Sequence, residues 1–555
     1  MVLSIATVTF LAYLITLTRT PTGDSLGFAL AVERAGWTEL LLPHRLLIQP
    51  FGWAFAQGWL ALGWQGGALV PLQVFSALGG AVAAALVYAI TRHLTGSTGA
   101  ALLAAVGFAA SAGTWSFGTD AEPVLQPLAL TLAPVWGLLA AGPAPSRRQV
   151  VLLGLTTALA ILTYLSSVIL IPALAVGLLA ERQSGTERWR RLGLFGGVVG
   201  GVVAPIYLLA MVTTFGVRDL QAAQRWHFYG GLNGSAPTWG QVQWANVPYG
   251  AYGFLRSLVW YPPLRPDESS AVYLASASWA ERAAFAGYVG GGLLVAAAPL
   301  VALAVLLARR RVAVARRDGV MLAAWGALNA AFAGWWVPSD LQFWAPGLAA
   351  WWLLVGIVLA AKPAGEGWRW ARRISPWPAA IGGVILLAPV NGLGFIAPGL
   401  DAENDRRYVV AAALRAVSAP DDLVVTNSLN AFNLYLAYFA PRPLVDVNAA
   451  LISAPNRDAG QVLAGIAREL DAARAAGRRV FVVRGRTAGD VGAADAAGQV
   501  AMGAVKQQRM YSAWYYDEAL RRALGYLDGL PTRRVWGDDR EAILEVVPTL
   551  GAAGP

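Results

Sequence analysis

Apolar runs long enough to cross about 30 Å of hydrocarbon recur through the first 396 residues and then cease. They lie at 2–18, 68–90, 99–117, 123–142, 149–164, 167–180, 193–215, 282–308, 319–336, 343–361 and 376–396. The pattern predicts about 11 membrane-spanning helices, although the two runs between 149 and 180 are short and abut at residues 164–167. The first run has no small-residue cleavage site before Thr20 and is read as a retained span. Two of the intervals between runs are long, residues 19–67 and 216–281. The first of these is not hydrophilic throughout. An amphipathic stretch reaches Arg34, and Trp37, Phe51, Trp53, Phe55 and Trp59 suit helices lying in the plane of the membrane surface.

From residue 397 the period changes. Short β-branched runs at 423–426, 444–447, 480–483 and 542–547 alternate with helix-like stretches near 430–439, 458–476 and 512–527. Such alternation predicts a small α/β layer structure. The chain therefore divides into a polytopic α-helical membrane domain, 1–396, and a C-terminal α/β domain, 397–555. No Gly-x-Gly-x-x-Gly opens a helix in the tail, so no nucleotide site is predicted there, and no internal repeat stands out.

Composition sharpens this picture. Of the 555 residues, 57% are hydrophobic and 13% charged, with a mean hydropathy of +0.52; soluble chains carry about a quarter charged residues. A disordered chain, a disulfide scaffold and an ordinary cytosolic enzyme are excluded. Without cysteine there is no disulfide, no thiolate nucleophile and no Cys-ligated metal. The net charge of +10 belongs wholly to the membrane part: residues 401–555 hold 18 Arg/Lys against 18 Asp/Glu, and residues 1–400 hold 24 against 14. Nucleic-acid binding is thereby disfavoured. Sixteen of those 24 cations fall in the intervals 91–95, 143–149, 181–191, 309–317 and 362–373, whereas the alternate intervals are acidic. By the positive-inside rule the N-terminus is cytoplasmic and the tail extracytoplasmic, in the plasma membrane of a bacterial-type cell.

Candidate chemistry gathers on the outer side. Gly23-Asp24-Ser25 places a carboxylate a few residues beyond the first span, at headgroup depth, where partial desolvation suits general-base work. The alternative is an N-cap for the stretch that follows. Pro43-His44-Arg45 stands further along the same loop. The short turn Asp120-Ala121-Glu122-Pro123 offers two acids that either cap a helix or hold a sugar hydroxyl or a cation. In the loop 216–281, Arg225, His227, Arg256 and Arg265 are scarce outer cations among rings that otherwise read as an aromatic belt. Asp340 in the turn 335–344 reads foremost as a helix cap. His93 falls in a cytoplasmic turn, and with no His-x-x-x-His spacing a dedicated zinc site is not expected.

One span, a long outer loop with an early Asp, many further spans and an outer α/β tail together resemble the integral-membrane GT-C glycosyltransferases. The nearest likeness is to bacterial members similar to protein O-mannosyltransferases. Their first loop reads roughly Gly-Asp-Ser-Gly-Glu-Phe, matched here by Gly23, Asp24, Ser25 and Phe28, with Pro43-His44 near a second, His-Pro-containing element. Ala121, Glu122 and Leu125 match an Ala-Glu segment of the same proteins. Gly27 stands where that pattern has Glu, which leaves a divalent cation an open question. The resemblance implies transfer of a sugar from a polyprenyl-phosphate-linked donor to a lipid, glycan or protein acceptor at the bilayer surface. Asp24 would act as base. His44, Arg45, Asp120, Glu122, Arg225, His227, Arg256, Arg265 and Asp340 would bind donor, acceptor or the developing phosphate charge. Two other classes stay in view. A polytopic transporter or flippase would carry ionisable residues within its spans, and a non-catalytic membrane module would bind cell-wall polymer through the tail. Reporter fusions after Arg191, Arg317 and Arg373 should all report cytoplasm, and one after Asp401 the opposite side. A cytoplasmic tail would overturn both the topology and the glycosyltransferase reading.

Overall fold

The computed structural model describes residues 1–34, 36, 40–180, 185–214, 216–223, 246–260, 278–280, 316–338, 340–361, 376–426, 430–447, 450–451, 459–484, 518–537 and 542–547, with isolated positions between 282 and 301. Helix α1 (Val2–Leu14) leads into two helices of the first long loop, α2 (Gly23–Arg34) and α3 (Ile48–Ala61). The bundle continues through α4 (Leu69–Thr95), α5 (Thr98–Ala110), α6 (Ala112–Thr119), α7 (Leu125–Ala140), α8 (Arg147–Thr163), α9 (Leu170–Leu179) and α10 (Gly185–Leu209). After α11 (Asn246–Leu258) come α12 (Arg316–Trp336), α13 (Leu341–Ala360) and α14 (Pro376–Asn391).

Ten of the eleven apolar runs are helical; the run 282–308 lies almost wholly outside the described residues. The abutting pair between 149 and 180 resolves as α8 and α9, separated at Tyr164 and a short 3-10 turn, Leu165–Ile169. Among the described residues three helices, Leu69–Thr95, Gly185–Thr214 and Leu341–Ala360, are each long and apolar enough to cross a membrane. The pair α5–α6, bent by 61°, makes a fourth when taken as one broken span. The bend has a local cause. Ser111 leaves the helical conformation (φ −64°, ψ 140°), donates back to the Gly107 carbonyl at 2.7 Å and accepts the Trp352 indole N–H of α13 at 2.9 Å.

Helix α4 is the axis of the bundle, packed against α1, α5 and α7. Bilayer helices gain little from the hydrophobic effect between themselves, so close approach of small residues has to hold them. At Gly79 an added Cβ would meet the backbone nitrogen of Gln126 at 2.6 Å, and at Gly118 it would strike the Tyr13 ring at 2.4 Å. Tyr13 in turn donates its hydroxyl to the Ala109 carbonyl at 2.8 Å, locking α1 to α5.

The tail carries α15 (Arg406–Val417), β1 (Leu423–Thr426), α16 (Asn430–Phe439), β2 (Leu444–Asp446), α17 (Ala459–Ala475), β3 (Val480–Arg484), α18 (Glu518–Asp528), β4 (Thr532–Gly537) and β5 (Ala542–Val546). The sheet order is β2-β1-β3-β5-β4, with β2, β1 and β3 parallel and β5 and β4 antiparallel to their neighbours. Central strands covered on both faces read as continuous apolar runs. Accordingly Leu423, Val425, Val480 and Val482 pack with residues of α17 and α18, while Val424, Phe481 and Val483 pack with those of α15 and α16. The edge strand β4 escapes the sequence pattern. Its Arg533 and Arg534 are exposed, and a bulge lies between Arg534 and Trp536.

Gly79→Ala should force α4 and α7 apart and lower stability by about 1–3 kcal/mol, as overpacking does. Gly137→Ala, with nothing within 4 Å, should be neutral or stabilising. Melting temperatures of the two purified variants check this; equal behaviour would mean that the α4–α7 contact is not tight.

Candidate active site

The end of the bundle from which the first long loop leaves is stitched together by main-chain groups. Thr18 donates its N–H to the Thr119 carbonyl at 3.0 Å and accepts the Gln73 amide of α4 on its own carbonyl at 2.7 Å. Arg19 donates its N–H to the Gly399 carbonyl at 2.7 Å. The end of α1, the end of α6 and the start of the tail therefore meet at one place. From there the chain passes through Pro21 and Thr22 into α2.

Thr22 caps α2. Its hydroxyl oxygen accepts the Ser25 N–H at 3.3 Å, lies 2.8 Å from the Ser25 hydroxyl, and donates to Glu122 Oε2 at 3.2 Å. Its own N–H donates to Asp120 Oδ2 at 2.9 Å, and the other Asp120 oxygen accepts the Ala121 N–H at 2.8 Å. The cap that Asp24 might have supplied thus belongs to its neighbour two residues earlier. Asp24 sits in the first turn of α2, exposed, its carboxylate without a hydrogen bond among the described residues.

Four acids share this end of the molecule. Asp120 (3% exposed) and Glu122 (6%) are buried. Burial raises the pKa of Glu122 well above the ordinary carboxyl value, and the nearby charges of Asp24, Asp340 and Asp120 add to it. Burial raises Asp120 as well, against the hydrogen bonds from Thr22 and Ala121. Asp340 is the N-cap of α13, accepting the Gln342 N–H at 3.1 Å and its side-chain amide at 2.9 Å. Its pKa also rises, through burial and then Asp24, with the Gln342 bonds and Arg256 opposing.

Arg45 is the cation placed among them. Its guanidinium donates to Gln342 Oε1 at 3.3 Å and lies 5.2 Å from the centre of the Tyr164 ring, while its buried Nε has no hydrogen-bond partner. Burial works against its charge, yet Tyr164, Asp24 and Glu122 outweigh this and hold it protonated. The loop carrying it is pinned to the α8 break: Leu47 N–H donates to Leu162 and Leu165 N–H to the His44 carbonyl, each at 3.0 Å. A narrow cleft opens beside Arg45, between α7, α12 and α13. Both residues that Arg45 touches, Tyr164 and Gln342, line it, with Thr131, Ser167, Asn329 and Phe332.

The remaining sequence candidates divide. Arg256 on α11 stacks at 4.6 Å over Trp260 and bears electrostatically on Asp340. His44 is exposed, and a backbone carbonyl is what it contributes to the hydrogen bonds here. Arg225, His227 and Arg265 lie outside the described residues. Thr22, Tyr164 and Gln342 were not singled out in the sequence; the one signal was the break between the short runs at residues 164–167. At Gly27, where the family pattern has Glu, an added Cβ would contact Leu434 of α16 at 3.6 Å. Among the described residues no group of three His, Asp or Glu is placed to hold a metal ion.

Residues 50–209 match the sequence profile of the dolichyl-phosphate-mannose-protein mannosyltransferase family, a stretch that includes Asp120 and Glu122 but not Asp24. The whole chain superposes on ArnT from Cupriavidus metallidurans bound to undecaprenyl phosphate, with a TM-score of 0.59 at 16% identity, covering 100% of this chain and 98% of that one. The fold is that of ArnT. The apo form of the same ArnT superposes with a TM-score of 0.56 at 15% identity over the same shares. No curated protein sequence matches the chain. The resemblance drawn from the first loop and the span pattern holds, and the protein is a multi-pass membrane protein with an ArnT-like architecture.

The raised pKa of Glu122 fixes the sign of a pH effect. The folded chain keeps a proton that the unfolded chain releases, so stability is full at low pH and declines as pH rises through the raised value. Asp120 and Asp340 act in the same direction. Melting temperature should therefore fall as pH rises above the ordinary carboxyl range. Glu122→Gln, a neutral isostere, should flatten that fall. A wild-type protein that grows more stable with rising pH would contradict the assignment.

Proposed function

We propose that the protein is an inverting glycosyltransferase that moves a sugar from a polyprenyl-phosphate donor to an acceptor hydroxyl on the extracytoplasmic face, with Asp24 as base. The observation that carries this reading is the pairing of an exposed, unbonded Asp24 with a half-buried Arg45, whose buried Nε lacks a hydrogen-bond partner, in one electrostatic cluster. It sits on a fold shared with a protein crystallised with undecaprenyl phosphate.

The chemistry follows from where each charge develops. The acceptor oxygen attacks the anomeric carbon from the face opposite the phosphate, and its proton passes to Asp24. The bond from the anomeric carbon to the phosphate oxygen breaks, and the phosphate leaves with the electron pair. That group gains negative charge in the transition state, where a fixed cation is most effective. Arg45 supplies it, its Nε lacking a hydrogen-bond partner. Arg256 is the second cation described at this end. Glu122, holding a proton, serves as a neutral partner for Thr22 and keeps a further negative charge from facing the phosphate. Asp120 and Asp340 keep structural duties. Eleven spans with an inside N-terminus put these groups on the outer face, a reading supported by Arg317, which donates to the Gly142 carbonyl and so gathers two Arg-rich intervals at the opposite end.

Because Thr22 holds the cap, two substitutions separate charge from fold. Asp24→Asn should lower transfer about a hundred- to ten-thousandfold with little change in melting temperature. Thr22→Ala should lose about 1 kcal/mol of stability. Purified protein in detergent, offered polyprenyl-phosphate-linked sugars and followed by mass of products, checks both. A fully active Asp24→Asn enzyme would remove the base.

A further inference from the structure

The tail reaches back to the helix that carries Asp24. Tyr435 of α16 is completely buried (0% exposed), and its hydroxyl is shared between the Pro21 carbonyl and the Asp405 carboxylate. Pro21 immediately precedes the Thr22 cap and lies three residues before Asp24. Asp405 is fixed in turn by Arg407, which donates Nε at 2.9 Å and Nη2 at 2.7 Å to its two oxygens and places its guanidinium 4.6 Å from the centre of the Tyr435 ring. Its neighbour on α16, Leu434, covers Gly27. At the far end of α2 the grip is repeated. Tyr438 donates to Glu33 Oε1 at 3.1 Å, the same oxygen accepts the Ala68 N–H at 2.6 Å, and Arg34 donates to the Ala437 carbonyl at 2.9 Å.

From this geometry we infer that Tyr435 is a positioning residue for Asp24, and that α16 of the tail is the outer wall of the active site's first helix. The inference rests on the assignment of Asp24 as base. Two supports converge on the Pro21–Thr22 peptide from opposite sides. Asp120 holds the Thr22 N–H from the bundle, and Tyr435 holds the Pro21 carbonyl from the tail. A peptide fixed at both its carbonyl and its N–H cannot rotate, so the first turn of α2 is aimed. With one support gone, Asp24 can drift relative to Arg45 and the acceptor. Displacements near 1 Å are enough to matter in a proton-transfer geometry.

Tyr435→Phe keeps the ring and removes the hydroxyl, and Tyr438→Phe does the same at the far end of the same interface. Tyr435→Phe leaves the buried Pro21 carbonyl short of a donor and should lower the melting temperature, whereas Tyr438→Phe removes a bond to the exposed Glu33, which keeps the Ala68 N–H, and should lower it less; only the first should disturb catalysis. Tyr435→Phe should lower kcat about ten- to a hundredfold with the donor KM little changed, and should shift the acid limb of the pH–rate profile. Tyr438→Phe should leave kcat and the profile in place. Hydrogen exchange gives a readout independent of turnover: amides of residues 18–26 should exchange faster in Tyr435→Phe, and not in Tyr438→Phe. Asp24→Asn is run alongside. If it is inactive while Tyr435→Phe turns over with the wild-type kcat, profile and exchange, positioning is overturned and the base stands. If Asp24→Asn is active, the base itself falls. Equal kinetic losses in both tyrosine variants with an unshifted profile would mean general docking of the tail and would overturn the inference too.

Discussion

The Asp120 carboxylate is the joint on which this end of the bundle, its first long loop and the start of the tail depend. It sits at the C-terminal end of α6, is 3% exposed, and spends its two oxygens on the N–H groups of Thr22 and Ala121. Burying an acid at the end of an apolar bundle is unfavourable unless it finds donors. The donors here come from residues 98 positions apart in the chain for Thr22 and from the adjacent residue for Ala121. Satisfying one buried group thereby sets where the first long loop begins, which residue caps α2, and which way its first turn faces. The 61° bend at Ser111 is the other half of the arrangement, because it directs α6 toward that loop.

A second constraint is electrostatic. Asp24, Asp120, Glu122 and Asp340 lie near one another with Arg45 as the cation in their midst. Four ionised acids around one guanidinium would repel any phosphate. The arrangement relieves this without removing carboxyl groups. Asp120 and Asp340 are turned into backbone acceptors, and burial favours the protonated form of Glu122. What remains is the exposed carboxylate of Asp24 and a guanidinium, Arg45, whose Nε has no hydrogen-bond partner.

The sequence made some of this legible and hid the rest for physical reasons. Helices were legible because the spans are apolar over their length, and β1 and β3 because strands covered on both faces carry uninterrupted Val, Leu and Phe. The edge strand β4 was not, since its exposed arginines break the apolar pattern. The acids stood out because carboxylates are scarce in such a chain and fall at span ends. Neutral residues do not stand out in that way. Thr22, Tyr164, Gln342 and Tyr435 owe their positions to contacts far apart in sequence, 414 residues in the case of Tyr435 and Pro21. Asp24 as a cap was a sound local expectation, and it fails because Thr22, two residues earlier, has a hydroxyl with the better reach to Ser25 N–H.

The departure at Gly27 ties the tail to the chemistry. A Cβ at that position would point into van der Waals contact with Leu434, so a longer acid would have to run along the surface of α16. Burying its charge against Leu434 would be unfavourable and would pry α16 from α2. A glutamate at 27 and a tail docked through Leu434 and Tyr435 are therefore competing solutions on one helix face. This chain has the docked tail. It gives up an acid one turn from Asp24 and gains, in exchange, a neutral hydroxyl that fixes the peptide leading into the same helix. The α/β tail and the membrane bundle are in that sense a single frame: the bundle holds the Thr22 N–H, the tail holds the Pro21 carbonyl, and the Asp24 carboxylate is presented from the helix they clamp.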